Sequence, residues 1–229
     1  PGEGPEWCAV LPRVWRDRDE PALRTLLEWA RALGFTGVLI GNLGHLPLVR
    51  GLNFHLYGDY GLNVFNSRSL AYLKDKELES ACVSFELRFA QIRDLKKVLR
   101  AEAIVYGRLP LMITENCLVQ NETGCRLDRQ GPCVPEDGPC RCGQPNVLVD
   151  RTGAAFPLLP AYGHRTEIQN SKPLYLADRP EHRRLGLAYA RLRFTTETAE
   201  ECVSVVQNYL DAAPAAGDFT RGLYERGVE

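Results

Sequence analysis

Hydrophobic and polar positions follow two different periods along residues 1–115. Short apolar runs bounded by polar or glycine residues predict buried strands, whereas apolar residues spaced three and four apart predict amphipathic helices. The predicted strands are Cys8–Val14, Val38–Asn42, Phe54–Tyr60, Cys82–Leu87 and Ala103–Met112. The predicted helices between them are Glu20–Leu33, Ser67–Leu73 and Phe89–Leu99. This alternation predicts parallel strands joined by helical crossovers.

The pattern breaks after Glu115 and resumes later. Residues 117–146 are rich in Cys, Gly, Pro, Asn and Asp and have no regular period, which predicts a loop-like insertion. A short strand, Val147–Val149, follows, and the strand Tyr189–Phe194 with the helix Thr198–Leu210 forms a last βα pair. We therefore expect three parts: βα units over 1–115, a Cys-rich insertion with a following β/turn segment over 116–180, and the last βα unit with a carboxy-terminal tail over 181–229.

Six βα units are predicted in total, whereas a closed (β/α)₈ barrel has eight. The predicted fold class is α/β, and we expect an incomplete TIM-type barrel with a Cys-rich loop insertion. Spacing alone leaves an open doubly wound sheet as the alternative.

Composition narrows the class of protein. The chain has 229 residues, is 45% hydrophobic and 25% charged, and carries a formal net charge of −1, as an ordinary globular protein does. No apolar run approaches the roughly 20 residues that span a bilayer, and the first thirty residues do not have the pattern of a signal peptide. We therefore expect a cytoplasmic protein that has no membrane partner; the oligomeric state stays open.

The eight cysteines fall into two groups. Three lie alone in apolar surroundings, which is typical of core residues: Cys8, Cys82 and Cys202. Five lie together in the predicted insertion: Cys117, Cys125, Cys133, Cys140 and Cys142. Their intervals differ from a zinc knuckle, but a loop with many thiols can hold a metal or an iron–sulfur cluster. We expect metal or cluster binding, with His164 as a candidate further ligand; disulfides and incidental thiols are the alternatives.

Polar residues lie at or just after several predicted strand ends, and on a barrel these ends form the active face. They are Asn42, His45, Asp59, Asn63, Asn66, Glu86, Arg108 and Glu115. Carboxylates at such positions suit acid–base catalysis, and an arginine can hold a carboxylate or phosphate. We expect catalytic roles for Asp59, Glu86, Arg108 and Glu115, and substrate binding by Asn42, His45, Asn63 and Asn66. The alternative is that the asparagines cap turns and the charges are solvated.

Common hydrolase motifs are absent from the sequence: it has no H-E-x-x-H, no G-x-S-x-G and no P-loop. Cys82 lies within an apolar run, which is a poor position for a nucleophilic thiolate. A local group of arginines near the carboxy terminus is typical of a solvated helix face, with RNA binding as the alternative. It comprises Arg179, Arg183, Arg184, Arg191 and Arg193.

Nine short stretches, in order along nearly the whole chain, resemble the collagenase-like peptidases of family U32, and most closely the carboxy-terminal region of its long members. They are VLIGNLGH (38–45), GDYGLNVFNS (58–67), SFEL (84–87), YGR (106–108), LM (111–112), TENC (114–117), DRTG (150–153), NSKPL (170–174) and FTRGLY (219–224). The resemblance implies a barrel-derived fold and, as a partner, an upstream barrel portion.

The resemblance also implies a chemistry. The family is nominally a peptidase family, but related members take part in oxygen-independent hydroxylation of RNA or ubiquinone and carry a four-iron four-sulfur cluster on four cysteines. Cys117 matches the first of these, and Cys125 with one or two of Cys133, Cys140 and Cys142 matches the middle ones. His164 stands at the fourth position. Either a surplus cysteine replaces the missing ligand, or His164 ligates, or the cluster is lost, or the site takes zinc as Cys₃His.

The leading functional expectation is therefore a cluster-bearing module for oxygen-independent hydroxylation of RNA or an aromatic small molecule. Proteolysis of collagen-like or unfolded substrates is the first alternative. The second is a zinc-stabilised binding module.

Overall fold

The computed structural model describes residues 4–123, Arg141 and residues 144–228. The chain divides into two compact units, each built from separated segments. The first unit comprises Pro1–Ile104, Arg179–Arg191 and Gly222–Glu229. The second comprises Val105–Asp178 and Leu192–Arg221. The predicted three-part division at residues 115 and 180 stays a prediction.

A parallel sheet forms the centre of the first unit. Its strands, in spatial order, are β1 (Cys8–Val10), β2 (Gly37–Ile40), β3 (His55–Gly58), β4 (Ser80–Cys82) and β5 (Arg100–Gly107). Every neighbouring pair is parallel. The helices of this unit are α1 (Glu20–Ala32), α2 (Leu46–Val49), α3 (Ser67–Asp75) and α4 (Phe89–Asp94). This α/β arrangement is compatible with an incomplete barrel.

Helix α1 shows how the sequence builds this unit. Pro21 lies in its first turn, where a missing N–H costs nothing. Leu23, Leu27 and Ala30 recur at helical spacing and are buried. Burial of such an apolar stripe stabilises the helix by roughly 2 kcal/mol for each leucine. The elements predicted for α1 and α3 are confirmed within two residues.

The second unit contains a four-stranded antiparallel sheet in the order β6–β9–β8–β7. These strands are β6 (Pro110–Thr114), β7 (Asn146–Val149), β8 (Ala155–Ala161) and β9 (Arg165–Gln169). The unit also holds α5 (Leu118–Thr123), β10 (Leu174–Tyr175) and α6 (Ala199–Asp211), and β10 pairs antiparallel with the last two residues of β5. The strand β11 (Tyr189–Arg193) pairs with β5, and both strands continue from the first unit into the second.

The structure corrects three sequence predictions. The predicted strand Ala103–Met112 is wrong in extent, because the chain leaves β5 after Gly107 and residues 110–114 join the antiparallel sheet. The predicted helix Phe89–Leu99 ends at Asp94, where Leu95 is already extended. The Lys97 ammonium donates to the carbonyls of Ile92 and Leu95, at 2.6 and 3.3 Å, and so satisfies oxygens that the helix would otherwise use.

The third correction concerns β4, which covers Ser80–Cys82 instead of Cys82–Leu87. TIM-type closure of the sheet stays a prediction, as does the Cys-rich loop, which lies mostly outside the described residues.

No helix in the described part of the chain is both long and apolar enough to cross a membrane.

Candidate functional site

The carboxyl edge of the parallel sheet carries a buried carboxylate at Asp59, the residue after β3. The backbone N–H of Asp59 donates to the Ile40 carbonyl at 2.8 Å, which continues the ladder between β2 and β3 by one residue. Its side chain Oδ1 accepts the Tyr60 N–H at 2.8 Å and caps a short 3₁₀ helix over Tyr60–Leu62. These two bonds fix the position of the carboxylate.

Arg191 of β11 joins Asp59 to a second carboxylate, that of Glu102 in β5. Its Nη1 donates to Asp59 Oδ1 and its Nε donates to Glu102 Oε1. The side chains of Arg191, Asp59 and Glu102 are only 18%, 9% and 13% exposed. We call these three residues the acid–base centre.

The acid–base centre holds two carboxylates against one guanidinium, so its formal charge is −1 when both are ionised. Burial raises the pKa of Glu102, although the charge and hydrogen bond of Arg191 lower it in part and the charge of Asp59 raises it further. A carboxyl with a raised pKa beside a second carboxylate and a guanidinium is suited to donate or accept a proton.

Two thiols lie within electrostatic reach of this centre, and neither is a ready nucleophile. Burial raises the pKa of Cys82 well above its ordinary value, with the charge of Arg191 acting in the opposite direction. Burial also raises the pKa of Cys8, to about 11. Both thiols are therefore protonated near neutral pH, which disfavours thiolate catalysis in this unit.

Asn42 and His45, predicted to bind substrate, both follow β2. The Asn42 side chain accepts the Gly44 N–H at 2.8 Å and donates to the Arg13 carbonyl at 3.3 Å, so it holds the loop after β2 against the loop after β1. His45 is fully buried beside Trp15, and its Nε2 lies 3.1 Å from the Pro12 carbonyl. Among the described residues these two side chains act on the backbone, and substrate binding stays a prediction.

Asn63, Asn66 and Glu86 follow β3 and β4. Asn63 adopts a left-handed conformation at φ 49°, and Asn66 Oδ1 caps α3 by accepting from the Arg68 and Ser69 N–H groups. Glu86 is half-buried, and no described residue pairs with its carboxylate. Glu86 is therefore the predicted catalytic residue of this edge whose side chain is most available for a ligand.

Arg108 lies in the second unit, directly after β5. Its Nη1 donates to the Asn170 carbonyl at 3.0 Å and to the Ser171 carbonyl. The Arg108 carbonyl in turn accepts from Arg193 Nη1 at 2.7 Å. The guanidinium therefore holds the segment after β9, and anion binding by Arg108 stays a prediction.

The predicted metal ligands Cys117 and His164 lie at one end of the antiparallel sheet. The register pairs Thr114 of β6 with Thr166 of β9, so the residues after Thr114 and before Thr166 leave the sheet at the same end. The Leu118 N–H donates to Thr166 Oγ1 at 3.0 Å, which ties the start of α5 to β9. We call this region the Cys117–His164 end.

Glu115 belongs to the same end, where its carboxylate pairs with Arg165 Nη2 at 3.1 Å. The Arg165 side chain is 4% exposed whereas that of Glu115 is 60% exposed. This pairing occupies the carboxylate that was predicted to be catalytic. Glu115 belongs to the second unit. Its catalytic role stays a prediction.

The donor set at the Cys117–His164 end fits a soft metal ion or a cluster, because it consists of a thiol and an imidazole. Cys117 is buried against Val119, Leu158 and Ile168, and His164 adopts a left-handed conformation at φ 59°. The remaining predicted ligands lie outside the described residues: Cys125, Cys133, Cys140 and Cys142. Within the described ranges no group of three or more His, Cys, Asp or Glu side chains is arranged to hold a metal ion.

Comparison with known proteins identifies the family. A family model described as peptidase family U32 matches residues 4–147, well over half of the chain. The chain belongs to peptidase family U32. No curated protein and no solved structure matches it. In this U32 protein the matched region includes Asp59, Glu102 and all five clustered cysteines, but it ends before His164 and Arg191. The alignment of His164 with a family cysteine therefore stays a prediction.

Sequence reasoning missed Glu102 as a site residue of this U32 protein, and it placed Arg191 only in a basic group. One signal was present, since Glu102 is a lone charge in the apolar run around Ala101, Ala103 and Ile104. A charged residue inside a buried strand needs a partner. Nothing in the sequence indicates that the partner is Arg191, because 89 residues separate the two.

Proposed function

We propose that this U32 protein is an enzyme module for oxygen-independent hydroxylation of RNA or an aromatic small molecule, with a metal cluster at the Cys117–His164 end. One observation carries the proposal: the pairing of Thr114 with Thr166 brings the first and last predicted ligands to the same end of one sheet. The protonated thiols of the first unit add support, because they disfavour a cysteine protease.

Cys117 and His164 would hold the cofactor together with cysteines of residues 124–143, and a four-iron four-sulfur cluster is the group that the family resemblance favours. When bound, such a cluster supplies one-electron transfer at a potential set by its surroundings. The Arg165–Glu115 pair fixes the backbone at this end. In the first unit, the acid–base centre supplies the proton-transferring groups, with Glu102 as the exchanging carboxyl and Arg191 as its positioning residue.

Anaerobic reconstitution with iron and sulfide tests the proposal. We expect about four iron and four sulfide per chain with a charge-transfer absorbance, as a [4Fe–4S] cluster gives. Cys117→Ser should reduce the iron content by at least half. Cys202→Ser, which changes a thiol of α6 outside this end, is the matched control and should leave it unchanged. Protein that takes up neither iron nor sulfide under these conditions contradicts the proposal.

The identity of the fourth ligand has its own test. If His164 ligates, His164→Ala should lower the cluster content, and His164→Cys should retain the iron and change the electron paramagnetic resonance spectrum, because a thiolate replaces an imidazole. Equal iron content and identical spectra in the unsubstituted protein and both variants would show that a cysteine outside the described residues completes the site.

Peptide hydrolysis is the second candidate, because the matching family model describes a peptidase family. The acid–base centre and Glu86 are the carboxylates that could activate a water molecule in this role. Gelatin cleavage that is lost in Glu102→Gln and Glu86→Gln, in protein without iron, would favour it. A zinc-stabilised binding module is the third candidate. Stoichiometric zinc without iron, and unfolding by a chelator, would favour that function.

A further inference from the structure

The strand β7 lies at one edge of the antiparallel sheet of the second unit. Among the described residues only β8 pairs with it. The side chains of Val147, Leu148 and Val149 are apolar, and the three residues are 55%, 46% and 58% exposed. Proteins commonly protect such an edge with a charge, a proline or a bulge, because an open edge pairs readily with another strand. β7 contains no charge and no proline, and its register with β8 is regular.

The backbone of β7 shows which groups face the open edge. The Asp150 N–H donates to the Ala154 carbonyl at 3.0 Å, so the backbone of Asp150 faces β8. Because this direction alternates along an antiparallel strand, Leu148 also faces β8, whereas Val147 and Val149 face away from it. In the described part of the chain no group bonds to the backbone of either valine. Each valine therefore offers a free N–H and a free carbonyl to a further strand.

The opposite edge of the same sheet, β6, is less suited to pairing. Its register with β9 shifts between Pro110 and Met112, as at a β-bulge. Such an irregularity bends a strand and interrupts its row of hydrogen-bonding groups, and Pro110 has no N–H to donate. A further strand can therefore pair more readily with β7 than with β6.

We propose that β7 pairs antiparallel with β7 of a second copy of this chain, around a two-fold axis at Leu148. In this register Val147 of each copy lies opposite Val149 of the other, and the free N–H and carbonyl groups of both valines form hydrogen bonds. Pairing Val147 with Val147 would instead place Val149 opposite Pro145, which has no N–H. The strand is therefore complementary to itself, and the two sheets join as one sheet with four strands from each copy.

The charge beside β7 favours the same arrangement. Asp150 lies opposite Asn146 of the second copy, and its Oδ1 remains bonded to the N–H groups of Thr152 and Ala154. A parallel pairing would place Asp150 beside Asp150 of the second copy, where like charges repel. In the antiparallel arrangement the two Leu148 side chains meet at the axis on one face, and the valines form cross-strand pairs on the other.

Sedimentation equilibrium of the full chain tests the inference. The strand contributes only four residues from each copy, so we expect a dimer that dissociates on dilution. Between roughly 200 and 2 µM, the weight-average mass should fall from near twice the chain mass towards the 25.7 kDa of one chain. A mass of one chain at every concentration would overturn the inference. So would growth beyond a dimer, because a two-fold interface closes on itself.

Paired substitutions test the register. Val147→Lys/Val149→Lys places lysines directly opposite each other and should weaken dimerisation at least about tenfold. Val147→Lys/Val149→Glu places a lysine opposite a glutamate and should restore the affinity to within about threefold of the unsubstituted protein. Ala155→Lys is the control, since Ala155 is exposed and pairs with Val149 but belongs to β8. Equal weakening by both paired variants, or by the control, would overturn the inference.

Amide hydrogen exchange of the unsubstituted protein gives a second test that needs no variant. The Val147 and Val149 amides should exchange at least about tenfold more slowly in the dimer than in the monomer, whereas the Leu148 amide, which faces β8, should not change. Valine amides that exchange equally fast in both states would show that the dimer forms elsewhere and overturn the inference. Protection that appears only when gelatin is added would also overturn it, in favour of an extended polypeptide as the occupant.

Discussion

At the residue scale, the acid–base centre concentrates three charges where water is largely excluded. Arg191 contacts one oxygen each of Asp59 and Glu102, so the centre is held together by a single cation. Removing one member of a buried ion pair lowers the free energy of unfolding more than replacing the whole pair by apolar residues. The charge that remains is shielded from water and has lost its partner.

The first prediction concerns that cation. Arg191→Met should lower the free energy of unfolding by about 3–5 kcal/mol, because two buried carboxylates are left without a cation to balance their charge. Arg24→Met on α1 removes an exposed pair with Glu20 and should cost at most about 1 kcal/mol. Urea unfolding at pH 7 measures both. Adding Asp59→Asn and Glu102→Gln to Arg191→Met should recover part of the lost free energy of unfolding, because neutral side chains need no cation. No recovery would show that Arg191 does not stabilise the fold by pairing with these carboxylates.

The second prediction concerns His45. Its burial lowers its pKa from 6.5 to about 4, with the Pro12 carbonyl opposing that shift. Because the folded state prefers the neutral ring, the stabilisation is present above pH 6.5 and is lost as the pH falls towards 4. The loss amounts to about 3 kcal/mol.

Denaturant unfolding between pH 7 and pH 4 checks this prediction, with His45→Phe as the comparison. The phenylalanine keeps the ring beside Trp15 and cannot titrate. The difference in unfolding free energy between the two proteins should therefore shift in favour of the variant as the pH falls. A difference that does not vary with pH would show that His45 is not the titrating group.

At the element scale, the end of β5 decides how the chain enters the antiparallel sheet. Gly107 has φ 115°, a conformation that residues with a side chain rarely adopt. A Cβ at this position would lie 2.0 Å from the Arg193 carbonyl oxygen. The glycine therefore allows β11 to pass closely and lets β6 start in a different sheet.

The third prediction follows from this close approach. Gly107→Ala should lower the free energy of unfolding by at least about 3 kcal/mol, because backbone strain adds to a clash with main-chain atoms. Gly153→Ala is the matched control: it also has positive φ, at 85°, but has open space around it, and should cost only about 1 kcal/mol. Thermal unfolding followed by circular dichroism compares the two. Equal losses would show that the clash is relieved by a backbone shift.

In helix α1, hydrophobic periodicity predicts the helix correctly but overestimates the width of its buried face. The spacing of Leu23, Leu27 and Ala30 predicts a buried stripe, and all three are buried. Leu26 and Leu33 share the same pattern but are 45% and 78% exposed. Periodicity locates a helix and its approximate face, but the width of the buried stripe depends on which neighbours cover it.

At the scale of the whole molecule, the stability of the first unit depends on residues near the carboxy terminus of the sequence. Tyr224 is buried, its hydroxyl donates to the Ile104 carbonyl at 2.6 Å, and Arg191 completes the acid–base centre. Both residues come after residue 178. The parallel sheet is therefore not stabilised by the amino-terminal part of the sequence alone.

The fourth prediction is that a fragment of residues 1–178 does not fold cooperatively, although it contains every strand from β1 to β5. Loss of Tyr224 leaves a large cavity, worth about 3–5 kcal/mol, and loss of Arg191 leaves buried charges unpaired. The near-ultraviolet circular dichroism spectrum and the dispersion of the amide proton spectrum check this. A fragment with native dispersion and a sharp unfolding transition would contradict the prediction.

The sequence by itself predicted the alternation of strands and helices up to β5, the family, and the polar residues that follow the strands, but it missed α2 and the extents of β4, α4 and β5. These features depend on neighbours in the chain: periodicity, caps such as Asn66, and contiguous motifs. It did not predict the antiparallel sheet, because β8 contains two prolines, which disfavour a strand, and β9 is mostly polar.

Only the tertiary structure decided which charges share a site. Asp59 and Arg191 are 132 residues apart, and Glu102 and Arg191 are 89 residues apart. Coulombic and hydrogen-bond energies depend on distance in space and on exclusion of water, and neither quantity is encoded by position along the chain. The acid–base centre was therefore visible only once the chain was folded.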